Sequence, residues 1–258
     1  MARRLPLYRP GVPMARLSGT ALYWIGFALV CLGSLSAAIL QRGILGLGAG
    51  TTLDQLAQAM KPGGDAMGWV TGAVLCALAS APAVPIYAKL LYEGFSRAAG
   101  HRRLLVRLAL CALVSEIPYD LAMSGRFLDL QVQNPVWGLL LCAVTLEILQ
   151  MWRFPSPAGN AAFRALVSVA ALLWALLLRI YMGGLLLALV LLFHFARSRK
   201  WVWMLGGSLI TLLHFPAPLG MVFVHWYDGE REEEPGWLFY ALYPLQLLVF
   251  GAAGMLLA

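Results

Sequence analysis

Apolar runs, almost free of charge, alternate with short polar breaks along nearly the whole chain. The runs fall at approximately residues 20–41, 67–95, 104–123, 133–152, 161–179, 181–196, 201–225 and 236–257. Each is near the roughly 20 residues a helix needs to cross about 30 Å of hydrocarbon. The pattern predicts an all-α, polytopic membrane bundle of about eight transmembrane helices. The sixth run is short and the turn before it, YMGG at 181–184, is tight. Runs five and six therefore read as a helical hairpin or as a shorter pair that does not fully cross, and seven to nine helical segments fit the pattern. The first run exceeds a signal-peptide core of about 7–15 residues and reads as an uncleaved helix. Within the polar break 42–66, TLDQLAQAM reads as a short interfacial helix. No long polar linker divides the chain, so residues 1–258 form one domain.

The breaks carry charge unevenly. Threading eight spans places Arg3, Arg4, Arg9, Arg16, Arg97, Arg102, Arg103, Arg153, Arg197, Arg199 and Lys200 on one side. Only Arg42, Lys61, Arg126 and Arg231 fall on the other, with the acidic stretch DGEREEE, 228–234. Eleven against four predicts cytoplasmic N- and C-termini, because basic loops stay inside. Composition agrees: 61% of residues are hydrophobic and 12% charged, where a soluble domain carries about 25% charged residues. The net charge of +7 sits in short loops rather than in a continuous basic stripe. It therefore points to membrane topology with lipid as the surroundings, and not to nucleic acid.

Cys31, Cys76, Cys111 and Cys142 all lie in apolar runs with no CxxC pair, and read as small buried hydrophobes. His101, His194, His214 and His225 lack metal-ligand spacing, so no metal site is expected. His214, in LLHFPAP, reads as a hydrogen-bonded imidazole on a kinked helix. WVW (201–203), HWYD (225–228) and WLFY (237–240) read as interfacial aromatic belts.

Ionisable residues inside the runs matter more, since each costs about 2.5–3.5 kcal/mol at the bilayer centre unless partnered or wet. Lys89 and Glu93 stand at i, i+4 and form either a pair that pins helices or part of a site. Glu116 and Asp120 repeat the spacing around Pro118. Two like charges on one face are a poor packing device, so they predict a polar cavity wall in which the pair shares a proton and one carboxylate is basic. Gln133 and Asn134 open the fourth run at the same depth, Glu147 lies in the inner half, and Arg107 and Arg179 lie near span ends and snorkel.

Three segments carry a family resemblance. LLYEGFSRAAGHRRLLVRLALCALVSEIPYDLAMSG (90–125), QNPVWGLLLC (133–142) and VHWYDGEREEEPGWLFYALYPLQLLVF (224–250) together resemble the TraX family, chiefly through the order EG, R, SEIPYD, QN. That resemblance implies a multi-pass bacterial membrane protein related to the wider membrane acyltransferases. The founding activity is acetylation of the N-terminus of conjugative pilin. It implies acetyl-CoA as donor and a protein or surface polymer as acceptor. Glu116 and Asp120 are then the catalytic candidates, and Lys89, Glu93, Arg107, Gln133, Asn134, Tyr243 and Gln246 the substrate-binding candidates. Arg97, Arg102, Arg103 and Arg107 serve to attract the donor's phosphates, or only to set topology. The chain departs from the family at Ser34 and Leu35, where an Asp-His pair is usual, at RIYMGG, and at Gln246, which replaces the histidine of Tyr-Pro-Leu-His. A glutamine cannot take a proton at neutral pH. The alternatives are a catalytically degenerate scaffold and, behind it, a transporter, which the lack of an inverted repeat disfavours.

Overall fold

Ser18 starts the first helix. Its hydroxyl accepts from the Ala21 N–H at 3.2 Å, meeting one of the donors that every helix start leaves open. Helix α1, Gly19–Ser34, continues as a π-helical segment, Leu35–Ile44. The chain then forms α2 (Ala66–Ser80), α3 (Ala83–Arg97), α4 (His101–Met123), α5 (Pro135–Met151), α6 (Pro157–Leu177), α7 (Gly183–Phe195), α8 (Lys200–Leu212), α9 (Leu219–Trp226) and α10 (Trp237–Leu257). The computed structural model describes residues 17–47, 66–98, 100–152, 154–227, 229 and 236–258. No strand occurs among them, and the protein is all-α. The interfacial helix expected at 52–60 lies outside the described residues, as does nearly all of 228–234.

Local chemistry explains several boundaries. Asn134 and Ser156 cap α5 and α6, each followed by a proline at the first helical position. Helix α4 runs through Pro118 and ends on Gly125, whose φ of +73° lets its N–H reach back to the Leu121 carbonyl at 3.2 Å.

Four helical stretches, Gly19–Ile44, Ala66–Arg97, Pro157–Leu177 and Trp237–Leu257, are long and apolar enough to cross a bilayer, and α5 and α7 are shorter apolar helices. This is an integral membrane protein. Helix α4 is long enough too, but carries Arg102, Arg103, Arg107, Glu116 and Asp120.

Contacts fix the direction of each helix. Gly26 lies against Ile86 and Tyr87, and Gly33 against Ser80, while the Ser36 hydroxyl donates to the Ala73 carbonyl at 2.7 Å. Helix α1 with its π segment is therefore antiparallel to α2 and α3, which act as one rod bent at Ala81–Pro82. Helices α4 and α5 are antiparallel, paired at Glu116–Trp137 and at His101–Glu147. Helix α10 runs parallel to α4. Cys111 meets the Tyr240 carbonyl at one level, and Gly251 meets Ala122 at another.

The expectation of eight crossings with both termini on one side does not survive these contacts. Helix α8 starts at Lys200, at the end of the bundle where α3 ends and α4 begins, and runs away antiparallel to α7, with Gly206 and Gly207 against Leu192 and Leu189. At 213–218 the chain turns. Helix α9 then returns parallel to α3, from Gly220 against Pro82 and Pro85 to Gly229, whose carbonyl accepts from Arg97. The Leu17 N–H donates to the Trp226 carbonyl at 2.9 Å, so α9 ends where α1 begins. Run 201–225 is thus a re-entrant hairpin with both ends at the basic end of the bundle. Its arms of 13 and 8 residues reach only about 20 and 12 Å at 1.5 Å per residue, and the prolines of HFPAP stop either arm from continuing. Among the described residues the chain traverses the bundle seven times, and Leu17 and Leu257 lie at opposite ends. Gly229, the described residue of the stretch expected outside, sits at the same end as Leu17.

Arg42 is a second correction. It is no loop charge but a buried part of the π segment. Its guanidinium donates to the Leu121 carbonyl, to Ala122 at 3.1 Å and to Gly251 at 3.1 Å. Those carbonyls on α4 belong to the last turn, which a helix end leaves without internal donors.

Candidate functional site

A cavity of about 1070 Å³ runs between α1, the α2–α3 rod, α4 and α10. Ligand pockets usually fall at about 300–1,000 Å³, so this one holds a substantial molecule. Helix α4 contributes Leu104, Arg107, Leu108, Cys111, Tyr119 and Met123, a stripe at three- and four-residue spacing. Small residues keep the space open on the opposite wall, among them Gly33, Ala37, Ala77 and Ala81.

Polar groups divide the cavity into three levels. Arg102, Arg103 and Arg107 stand at the basic end. Ser34, Ser80 and His214 stand at mid-depth, where the rod bends and the hairpin turns. Gln41, Tyr119 and Tyr181 stand toward the far end. Gln41 donates to the Ser36 hydroxyl at 2.9 Å. π-helical turns concentrate at functional sites, and here the π segment supplies Ser36, Ala37 and Gln41 to the wall. Among the described residues lining the cavity there is no aspartate or glutamate, and His214 is the one histidine.

The acids singled out from the sequence therefore stand beside the cavity and not in its wall. Glu116 is half-buried. One of its carboxylate oxygens accepts from the Trp137 indole N–H at 2.8 Å, and the other is buried without a partner. Asp120 is buried and accepts from the Asp129 N–H at 2.8 Å, tying down the loop after α4. It lines a separate small pocket with Asp129 and Gln131.

Asn134, fully buried, joins three helices. Its side-chain oxygen accepts from the Val136 N–H at 2.9 Å and from the Tyr243 hydroxyl at 3.1 Å, and its amide donates to Ser115 at 2.5 Å. Tyr243 also lines the cavity. Gln133 works through its backbone, donating to the Arg179 carbonyl at 3.0 Å and accepting from Tyr181 at 2.9 Å. The side chain of Gln246 is buried, and neither of its polar atoms has a partner among the described residues. It does not line the cavity.

Lys89 and Glu93 form an ion pair at 2.9 Å, extended to Arg97 at 3.0 Å. The ammonium lies 4.8 Å from the Trp203 ring centroid, 5.3 Å from Phe193 and 5.5 Å from Tyr92. That aromatic cage binds α3 to α7 and α8, away from the cavity. His101 and Glu147 pair at the basic end, with the imidazole stacked on Phe95 at 3.8 Å. No cluster among the described residues has the make-up of a metal site.

The sequence reading missed His214 as a lining residue, and with it Tyr23, Tyr87 and Tyr240. One signal was present: two prolines within five residues of an apolar run, HFPAP, mark a reversal as readily as a kink. The tyrosines carry no such signal, because they are scattered over three helices.

Comparison with known proteins agrees with the sequence pattern. The family model described as TraX protein matches residues 65–253. No curated protein and no solved structure matches the chain.

Proposed function

This chain belongs to the TraX family, and we propose that it is a bacterial inner-membrane acyltransferase that passes an acetyl group from acetyl-CoA to a protein or surface-polymer acceptor. The observation that carries this reading is the cavity with Arg102, Arg103 and Arg107 at one end. Phosphates bind arginine through charge-assisted, often paired hydrogen bonds, and a mostly apolar channel behind them suits the donor's extended arm. The basic end is the cytoplasmic one. It holds Arg97, Arg102, Arg103, Arg197, Arg199 and Lys200, against Arg126, Arg179 and the buried Arg42 at the other.

In this reading acetyl-CoA supplies the activated acyl group. Arg102, Arg103 and Arg107 hold its phosphates, and the channel walls exclude bulk water from the thioester. Asp120 and Asn134 fix the far half of α4 and the start of α5. Glu116 keeps one oxygen free of partners and stands ready to relay a proton next to the wall. A second reading, a degenerate scaffold, is favoured by Ser34, which lines the cavity where the family's acid is expected. The test is equilibrium binding and turnover of acetyl-labelled acetyl-CoA by the purified protein. The parent is expected to bind and slowly cleave the thioester, and R102A/R103A to bind about tenfold more weakly, a loss of about 1.4 kcal/mol. A parent that neither binds nor cleaves overturns the proposal.

A further inference from the structure

We infer that His214, at the tip of the α8–α9 hairpin, is the general base of the cavity; the inference rests on the acetyl-transfer reading above. Non-helical backbone at membrane depth is tolerated only where protein buries it or where it lines a wet cavity. Residues 213–218 are such a break, about 20 Å along α8 from Lys200. Their contacts are those of a built element. Ala217 is fully buried and donates to the His214 carbonyl at 2.8 Å. Gly220 presses so closely on the Pro82 carbonyl that a Cβ there would collide with it. The foot of the turn, Ala217 and Gly220, is thus seated in the bend of the α2–α3 rod, while Leu213, His214 and Phe215 are exposed at its tip, and the His214 side lines the open cavity at that level, with Ser34 and Ser80.

The rest of the lining leaves few rivals. Arginine cannot accept a proton, and serine, tyrosine and glutamine are poor bases near neutrality. No carboxylate lines the cavity among the described residues, and Cys111 directs its thiol to the Tyr240 carbonyl. An imidazole is the group best matched to proton transfer at the pH of the cell. Depth matches as well. With the donor's phosphates on the arginines, its arm carries the thioester deeper, toward the bend.

The step balances without any further reactant. An amine or hydroxyl of the acceptor attacks the acetyl carbonyl carbon, and a C–N or C–O bond forms. The acceptor's proton passes to the neutral imidazole. The C–S bond breaks, its electron pair leaves on sulfur, and the imidazolium returns the proton to the thiolate. Free thiol and acetylated acceptor result. Water serves as acceptor when no other is present.

Full-chain protein in lipid nanodiscs, mixed with acetyl-labelled acetyl-CoA, gives both readouts: binding, and release of acetate. H214Q is expected to bind about as tightly as the parent and to cleave about 10²–10⁴-fold more slowly. In H214A, added imidazole should restore part of the rate, which no merely structural role allows. Parental cleavage by H214Q overturns the inference and leaves the acetyl-transfer reading standing. So does a slow H214A that imidazole does not rescue although it binds and melts like the parent. If H214Q or H214A melts early and loses binding together with rate, the side chain is structural and the inference falls. A parent without binding or cleavage overturns both.

Discussion

Replacing Asn134 by alanine separates a structural role from contact with substrate. The side chain is fully buried and does not line the main cavity. The substitution removes the cap from α5, worth about 1 kcal/mol. It also removes two bonds between helices, to Ser115 and Tyr243. Such bonds in membranes average about 0.6 kcal/mol each and reach about 1.7. The expected cost is therefore about 2 kcal/mol, with a ceiling near 4. On the scaling of soluble domains of this size, 2 kcal/mol lowers the melting temperature by about 4–8 °C. Tryptophan-fluorescence melting in detergent measures it. A cycle with Y243F isolates one bond: the double variant should lose less than the two singles together, by about 0.6–1.7 kcal/mol. Acetyl-CoA binding by the folded N134A protein should not change. If N134A melts with the parent yet loses binding, Asn134 is a ligand contact and the reasoning fails.

Two further outcomes follow from the geometry. With the four native cysteines replaced by serine, single cysteines at Trp226 and Arg199 should react with an impermeant maleimide from one face of oriented vesicles and a cysteine at Arg126 from the other; labelling of position 226 together with 126 refutes the re-entrant hairpin. K89M leaves Glu93 in its half-dry cage with only the outer Arg97, and should cost about 3 kcal/mol by detergent melting, whereas K89M/E93Q, with no stranded charge, should recover more than half of it; equal losses in the two show that the pair contributes by packing alone.

Hydrophobic periodicity exposed the helices because length and apolarity are local properties. It misread residues 201–225 because an arm that turns back in the bilayer is as apolar as one that passes through. Only HFPAP distinguishes the two, and a single kink explains that motif equally well. The Lys89–Glu93 pair was legible from its spacing. The aromatic cage was not, since Phe193 and Trp203 arrive from α7 and α8. Glu116 and Asp120 share a helix side as the spacing implied, yet their partners divide them. Trp137 comes from α5 and Asp129 from a loop nine residues on, contacts that no helical repeat predicts. Asn134 could be placed at the head of its helix, but not at the junction of three. The cavity was invisible for the same reason: its lining draws single positions from many segments.

The parallel docking of α10 on α4 sets an order of events during synthesis. The carbonyl of Gly251, one of the acceptors for Arg42, lies 209 residues farther along the chain, so the π segment enters the membrane long before its last companion exists. A buried guanidinium cannot remain bare in lipid for that interval. Until α10 emerges, the guanidinium has only the Leu121 and Ala122 carbonyls of α4 as acceptors, and the cavity wall stays open on that side. Arrival of α10 adds the Gly251 acceptor and closes the wall in one event.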